Sequence, residues 1–267
     1  MLKDITLGQY FPGNTVIHRL DPRTKLALTL VFIIALFLAK GAVSYGLMAA
    51  YLLGIIAASR IQLKVILKGM KPLLLVIVLT AVLNLFYSQG EVLAQFWIFK
   101  ITRDGVRNAV FMVLRITMLV AGTFMLTYTT SPIALTDGLE HALGPLKKLH
   151  VPVHELAMMM CIALRFIPTL IEETDKIMSA QKARGADFES GSLLRRAKAM
   201  IPILVPLFIS AFRRADDLAT AMECRCYHGG EGRTRLRQLR YGHSDYAAYG
   251  VGLLLLAAAI VLRQFGL

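Results

Sequence analysis

Apolar residues in this chain gather into membrane-length blocks set apart by short polar hinges, the pattern of helices that cross a bilayer. The first dense run covers residues 26–39 and is broken by Lys40-Gly41. The second, 42–59, follows almost at once, so the two predict antiparallel neighbours joined by a tight turn. A third run, 72–87, ends at Ser88-Gln89-Gly90; a fourth covers 105–128; a fifth, 246–262, is closed by Arg263. The fourth carries Arg115 near its middle. A charge there is costly in lipid, so Arg115 is expected to face the bundle interior or the protein's own polar segments.

The segments between the runs carry their own signals. Residues 1–25 form a polar lead-in with a turn at Pro12-Gly13-Asn14 and a helix stop at Asp21-Pro22. Asp4, Pro12, Asp21 and Pro22 do not fit the layout of a cleavable signal peptide, so the run from Leu26 reads as a retained anchor. Arg60, Lys64, Lys68 and Lys71 recur every three to four residues, as in an amphipathic helix end lying along lipid headgroups. Residues 88–104 hold the single tryptophan, Trp97, beside Phe96 and Phe99: either an interfacial aromatic belt or packing within a short loop helix.

Residues 129–243 read differently. Ser131-Pro132 supplies an N-cap and a first-turn proline for a helix expected to run to about Leu149. Pro152 opens a second helix, apolar over 156–171 apart from Arg165 and Pro168, then amphipathic through Glu172, Glu173, Asp175 and Lys176 to Arg184. Gly191-Ser192 opens a third, apolar over 199–212, kinked by Pro202 and Pro206, then amphipathic through Arg213, Arg214, Asp216 and Asp217 to Arg225. Their apolar halves are short and interrupted, so both long helices are expected in or just under the interface; the alternative is that one or both cross as extra spans.

Composition sharpens this picture. The chain has 267 residues, 56% of them hydrophobic, and a mean hydropathy of +0.60, above the apolar share of a soluble domain. The net charge of +13 is expected to mark cytoplasmic loops, and no nucleic-acid reader motif appears. With a cytoplasmic N-terminus, segments 1–25, 60–71 and 129–243 collect 24 of the 30 Lys and Arg, which sets the orientation: N-terminus and basic platform inside, C-terminus outside. The expected fold is therefore all-α: a polytopic membrane protein with about five transmembrane helices plus a cytoplasmic platform of two long kinked helices and one shorter one. Three stretches follow: 1–128, lead-in and four spans; 129–243, the platform; and 244–267, the last span.

Candidate chemistry is sparse. There is no Gly-x-x-x-x-Gly-Lys-Ser/Thr loop for ATP and no His-Glu-x-x-His spacing. His150 and His154 lie one helical turn apart with Pro152 between them, and Cys224-x-Cys226 with His228 falls short of a metal set. Two arginine tripeptides stand out, Ala183-Arg184-Gly185 and Cys224-Arg225-Cys226, each after a long amphipathic run. An arginine in a last turn is favoured by the helix dipole, and its planar fork can hold a partner's carboxylate. The plainer readings are a solvated charge or a lipid-phosphate contact for the arginines, a helix cap for Gly185, and small packing residues for Cys224 and Cys226, with the second helix ending as late as Gly229-Gly230. Methionines at 158–160, 178, 200 and 222 suit a surface that repacks against different partners, or simple core filling.

Tyr10-x-Pro12-Gly13, the run His18-Arg19-Leu20-Asp21-Pro22-Arg23-Thr24-Lys25-Leu26, Thr129-Thr130-Ser131-Pro132 and Ala183-Arg184-Gly185 occur in that order along nearly the whole chain. Together they resemble the transmembrane T component of energy-coupling factor transporters, of the shared vitamin-uptake type. The resemblance implies a non-catalytic subunit in a bacterial cell membrane. It would couple two cytoplasmic ABC-type ATPases, which bind the ATP and Mg, to a membrane-embedded S component that binds a vitamin or metal ion. It also implies that Ala183, Arg184 and Gly185, and Cys224, Arg225 and Cys226, dock in grooves of the two ATPases; the second tripeptide keeps only the central arginine of the usual Ala-Arg-Gly. Competing readings from other classes are a self-contained secondary transporter or channel with a path near Arg115 and Asn84, and a membrane enzyme, for which no base, nucleophile or metal set is found.

Overall fold

The computed structural model describes residues 10–87, 92–96, 99–188, 192–230 and 238–265. The described chain is helical apart from one hairpin. In order come α1 (Val16–Arg19), α2 (Pro22–Leu38), α3 (Ala42–Ser59), α4 (Leu63–Met70) and α5 (Leu74–Tyr87). The strands β1 (Val92–Phe96) and β2 (Phe99–Thr102) then pair antiparallel, followed by α6 (Arg103–Thr129), α7 (Pro132–Ala142), α8 (Val153–Ala183), α9 (Leu193–Glu223) and α10 (His243–Gln264). A single 3₁₀ turn (Lys71–Leu73) joins α4 to α5, and a two-turn 3₁₀ segment (Gly144–Leu149) follows α7. The hairpin stands where a loop or short helix was expected, and Trp97 lies outside the described residues.

Contacts divide the chain into two compact units, one of residues 8–138 and 239–267, the other of residues 1–7 and 139–238. The first is a helix bundle organised around a buried polar knot at one end. Asp21 caps α2 by accepting from the Arg23 N–H (2.9 Å), with Pro22 at the first helical position. The buried carboxylate of Asp245 accepts from the Asp21 N–H (2.9 Å) through one oxygen and from the Gly242 N–H at the start of α10 (2.8 Å) through the other. The buried Lys25 ammonium donates to the Thr129 carbonyl (2.8 Å) at the end of α6 and to the His18 carbonyl (3.1 Å). Two helix starts thus meet a carboxylate and two helix ends meet a cation, as their dipoles favour. His18 fixes the lead-in: its Nε2 donates to the Phe11 carbonyl (3.1 Å) while Nδ1 accepts from Thr15 (2.7 Å), a neutral-ring arrangement. Burial is the main cause of the lowered pKa of His18, with Lys25 adding to it against the raising effect of the Phe11 bond.

Away from the knot the bundle is apolar inside and out. Phe32, Leu36, Tyr45, Met48, Leu52, Met118, Met125 and Tyr128 form its core, whereas Leu30, Leu53, Leu75, Leu253 and Leu254 are exposed, as lipid-facing side chains would be. Such helices associate through close packing rather than water exclusion, so small contact residues matter. Gly122 lies under the Phe32 ring and Gly252 under Leu28, where a methyl group would collide.

Arg115 is central in its segment but not at mid-bundle. Its Nε donates to the Tyr45 hydroxyl (2.9 Å) and its Nη2 to the Ala39 carbonyl (3.3 Å), and its guanidinium lies over the rings of Phe37 and Tyr45. Ala39 ends α2 and Tyr45 begins α3, so the charge sits at the level of the α2–α3 turn. With 27 residues, α6 is about 40 Å long, and its first turns reach past that level. The cation is thereby satisfied by a helix C-terminus and aromatic faces, as expected of a charge kept out of lipid.

Among the described residues, five helical stretches are long and apolar enough to cross a membrane: α3, Leu63–Phe86, α6, α8 and α10. The 17 residues of α2, rising about 26 Å, fall at the short end of the range for spans. Two expectations change. The helix from Pro132 stops at Ala142, because Gly144-Pro145 disfavours continued α geometry, and the 3₁₀ segment carries the chain to Leu149. The two long helices run as expected, α8 continuing through Arg165 and Pro168 and α9 through Pro202 and Pro206; what changes is that α8, at 31 residues, is long and apolar enough to cross a membrane.

The knot makes a direct prediction. Asp245→Ala leaves the buried Asp21 N–H and the partly buried Gly242 N–H unmet and removes a countercharge from Lys25, and should lower stability by about 2–3 kcal/mol. Leu253→Ala on the exposed face of α10 should change it by less than about 0.5 kcal/mol. Thermal unfolding of the two variants in detergent, side by side, checks the contrast.

Candidate functional site

The candidate site is built on α8 and α9. These helices lie antiparallel: Met158 and Ile162 near the start of α8 share a groove with Leu218 and Met222 near the end of α9. Further along, Glu173 accepts from the Arg214 guanidinium (2.8 Å) and is reached by Ser210, and then Gln181 donates to the Pro202 carbonyl (3.5 Å). A step toward the end of one helix is a step toward the start of the other. With Gln181 opposite Pro202, the two arginine-bearing ends are separated by about 40 Å along the pair.

The two ends share one backbone design. At the end of α8, the Gly185 N–H donates to the Lys182 carbonyl (3.0 Å) and the Ala186 N–H to the Gln181 carbonyl (3.0 Å), with Gly185 left-handed at φ 88°. At the end of α9, the Cys226 N–H donates to the Glu223 carbonyl (2.8 Å) and the Tyr227 N–H to the Met222 carbonyl (3.1 Å), with Cys226 left-handed at φ 54°. Both are Schellman closures. Arg184 and Arg225 therefore occupy the same place, one residue before the left-handed position, where the helix dipole is negative. Ala183, Arg184, Gly185, Cys224, Arg225 and Cys226 are all exposed.

The α9 helix therefore closes at Cys226, not at Gly229-Gly230. Cysteine stands where α8 has glycine, at the conformational cost any side chain carries in the left-handed region. The His228 Nδ1 donates to the Cys226 carbonyl (2.8 Å), securing the turn from outside. Beside Arg225 lies a groove of about 500 Å³ with Met158, Ile162, Leu218 and Met222 as its apolar wall and Tyr227 and His228 toward its rim. Two of the methionines singled out in the sequence thus meet there.

Other candidate chemistry does not assemble. The His154 Nδ1 donates to the Glu140 carboxylate (3.0 Å), and Gly230 packs on the same imidazole. Among the described residues no group of three His, Cys, Asp or Glu is placed to hold a metal ion. Sequence reasoning missed Asp245, which binds the start of α2; its only signal is its place three residues after Gly242, a capping position.

With this geometry in hand, likeness to known proteins is decisive. Residues 13–236 match the CbiQ family, described as Cobalt transport protein. The chain is 54% identical over 264 residues to the energy-coupling factor transporter transmembrane protein EcfT of Thermosediminibacter oceani, covering 99% of each chain. It is 50% identical over 263 residues to that of Ruminiclostridium cellulolyticum, covering 98% of each, and 46% identical over 261 residues to that of Bacillus subtilis, covering 97% of this chain and 98% of the relative. The chain belongs to the energy-coupling factor transporter transmembrane protein family. As an energy-coupling factor transmembrane protein it is a multi-pass, non-catalytic transport subunit.

The matched caps predict opposite responses to reciprocal changes. Cys226→Gly should stabilise the last turn of α9 by about 1 kcal/mol, and Gly185→Ala should destabilise that of α8 by about as much. Amide hydrogen exchange at residues 181–186 and 222–227 reads each end separately.

Proposed function

We propose that this chain couples two cytoplasmic ABC-type ATPases, which carry the ATP and Mg, to a membrane-embedded S component that binds a vitamin. It sits in the bacterial cell membrane with the N-terminus and the α8–α9 pair on the cytoplasmic side; the concentration of Lys and Arg in segments 1–25, 60–71 and 129–243 supports that orientation. The observation that carries the reading is the pair of identical helix closures, each presenting one exposed arginine at a dipole-negative end. Two like ends suit two like partners. An Arg fork at a helix end is made to take a carboxylate in a groove, a bidentate contact that lysine does not reproduce.

The mechanism follows from the antiparallel pair. ATP-driven approach of the two ATPases draws the ends bearing Arg184 and Arg225 toward each other. Because α8 and α9 are tied by the Glu173–Arg214 ion pair and by Gln181, the ends move only if the helices pivot on those contacts. The exposed apolar face of α9, with Leu204, Val205, Phe208, Ile209 and Phe212, would press on the S component and tip it, opening its site to the other side of the membrane. The cation- or vitamin-binding chemistry then belongs to the S component.

The test is co-purification of the tagged chain with a pair of energy-coupling ATPases. Arg184→Glu and Arg225→Glu should each reduce recovery of the three-protein complex by at least tenfold, the scale of one lost charge-assisted contact. Intact assembly together with intact uptake in the double variant would remove the docking role.

A further inference from the structure

We propose that Arg60, Lys64, Lys68 and Lys71, with the cleft behind Arg60, form a binding site for anionic phospholipid headgroups. The segment that carries them is unusual in charge. No Asp or Glu occurs between Asp21 and Glu91, so these four cations have no acidic neighbour along the chain. Among the described residues none of the four has an ion-pair partner, and all four side chains are exposed.

The helix geometry aims them at one plane. Spacings of four and three residues place Lys64, Lys68 and Lys71 along one face of α4 and the 3₁₀ turn after it, with Arg60 at the turn just before the helix. On the opposite side Ile66 and Met70 are buried in the bundle. Leu63 and Leu67 are exposed between the two faces, positioned to enter the acyl region while the lysine stems reach for headgroups. The chain passes from α4 through one 3₁₀ turn into α5 without a break, and Leu63–Phe86 together are long and apolar enough to cross a membrane; the three lysines lie in the first nine residues of that stretch and α5 carries no charge, so the stripe stands at its boundary end.

A second feature gives the stripe a pocket. Arg60 adopts a left-handed conformation (φ 59°), which ends α3 and turns the chain into α4. Behind it, a cleft of about 760 Å³ is walled by Asn14, Thr15, Ser59, Arg60 and Gln62. The Thr15 and Ser59 hydroxyls donate to His18 and to the Ile56 carbonyl, so the donors left for a ligand are the Asn14 and Gln62 amides and the Arg60 guanidinium, chemistry that suits a phosphodiester. An acidic protein surface would use the same charges; what favours a lipid is that Leu63 and Leu67 lie beside the cations on a helix continuous with a membrane-length stretch. Neutral phosphatidylcholine has no net charge to be drawn by the stripe, so the site selects by headgroup.

The experiment uses the purified full chain in phosphatidylcholine nanodiscs carrying a small fraction of spin-labelled phosphatidylglycerol or spin-labelled phosphatidylcholine, with the immobilised fraction read by electron paramagnetic resonance. Wild type should prefer phosphatidylglycerol by about fivefold, and high salt should reduce the preference. Lys64→Gln with Lys68→Gln and Lys71→Gln should bring it close to unity, while the matching triple change to Arg should keep it, showing that charge and not fold has been altered. Equal immobilisation of both lipids by wild type, or an undiminished preference in the Gln variant, would overturn the proposal. Loss of ATPase co-purification by the Gln variant with lipid preference unchanged would overturn it in favour of a protein-docking face.

Discussion

The bundle depends on one buried carboxylate. Asp245 satisfies the backbone at the starts of both α2 and α10, while Lys25, two residues past the Asp21-Pro22-Arg23 cap, satisfies the end of α6. In lipid, unsatisfied backbone groups at helix ends are expensive, and water cannot be relied on inside a packed bundle. Joining three helix termini with two side chains solves this locally. It also fixes the relative height of α2, α6 and α10, and with it the level at which Arg115 meets the turn between α2 and α3. The two polar sites hold the bundle near its two ends, with glycine contacts and aliphatic packing between them.

The second unit follows a different rule. Its helices bury little of their own surface: α8 has only Val153 and Ala157 buried along its described length. What the sequence specifies there is geometry at the termini. Gly185 and Cys226 place their preceding arginines equivalently, and the Glu173–Arg214 pair with its Ser210 neighbour ties the helices between those ends. A pair of this kind has its apolar faces left for partners, consistent with membership of a family of transporter subunits.

Much of this was legible in the residues. Long apolar runs gave the all-helical fold, the Asp21-Pro22 stop gave the start of α2, and Arg184-Gly185 gave a helix end. Three features were not. The extents of α8 and α9 were readable, but Arg165 and Pro168 made the apolar stretch of α8 look too short and interrupted to span, whereas the helix continues through them and is long and apolar enough to cross a membrane. Cys226 was not readable as a cap, because only glycine and asparagine advertise a left-handed residue. Asp245 lies 224 residues from Asp21, and no periodicity links them. Arg115 was half legible: its need for a polar partner was clear, but its depth depended on α6 being longer than the bilayer is thick.

The claim that the two arginine ends move as one coupled pair is tested most directly by a distance. Spin labels at Ala180 and Ala221, exposed positions in the last turns of α8 and α9, in a chain whose three cysteines are replaced by serine, can be followed by double electron–electron resonance in the assembled complex. The account predicts a distribution that shifts to shorter distance when ATP is bound and returns after hydrolysis. An unchanged distribution in a complex that still transports would contradict it.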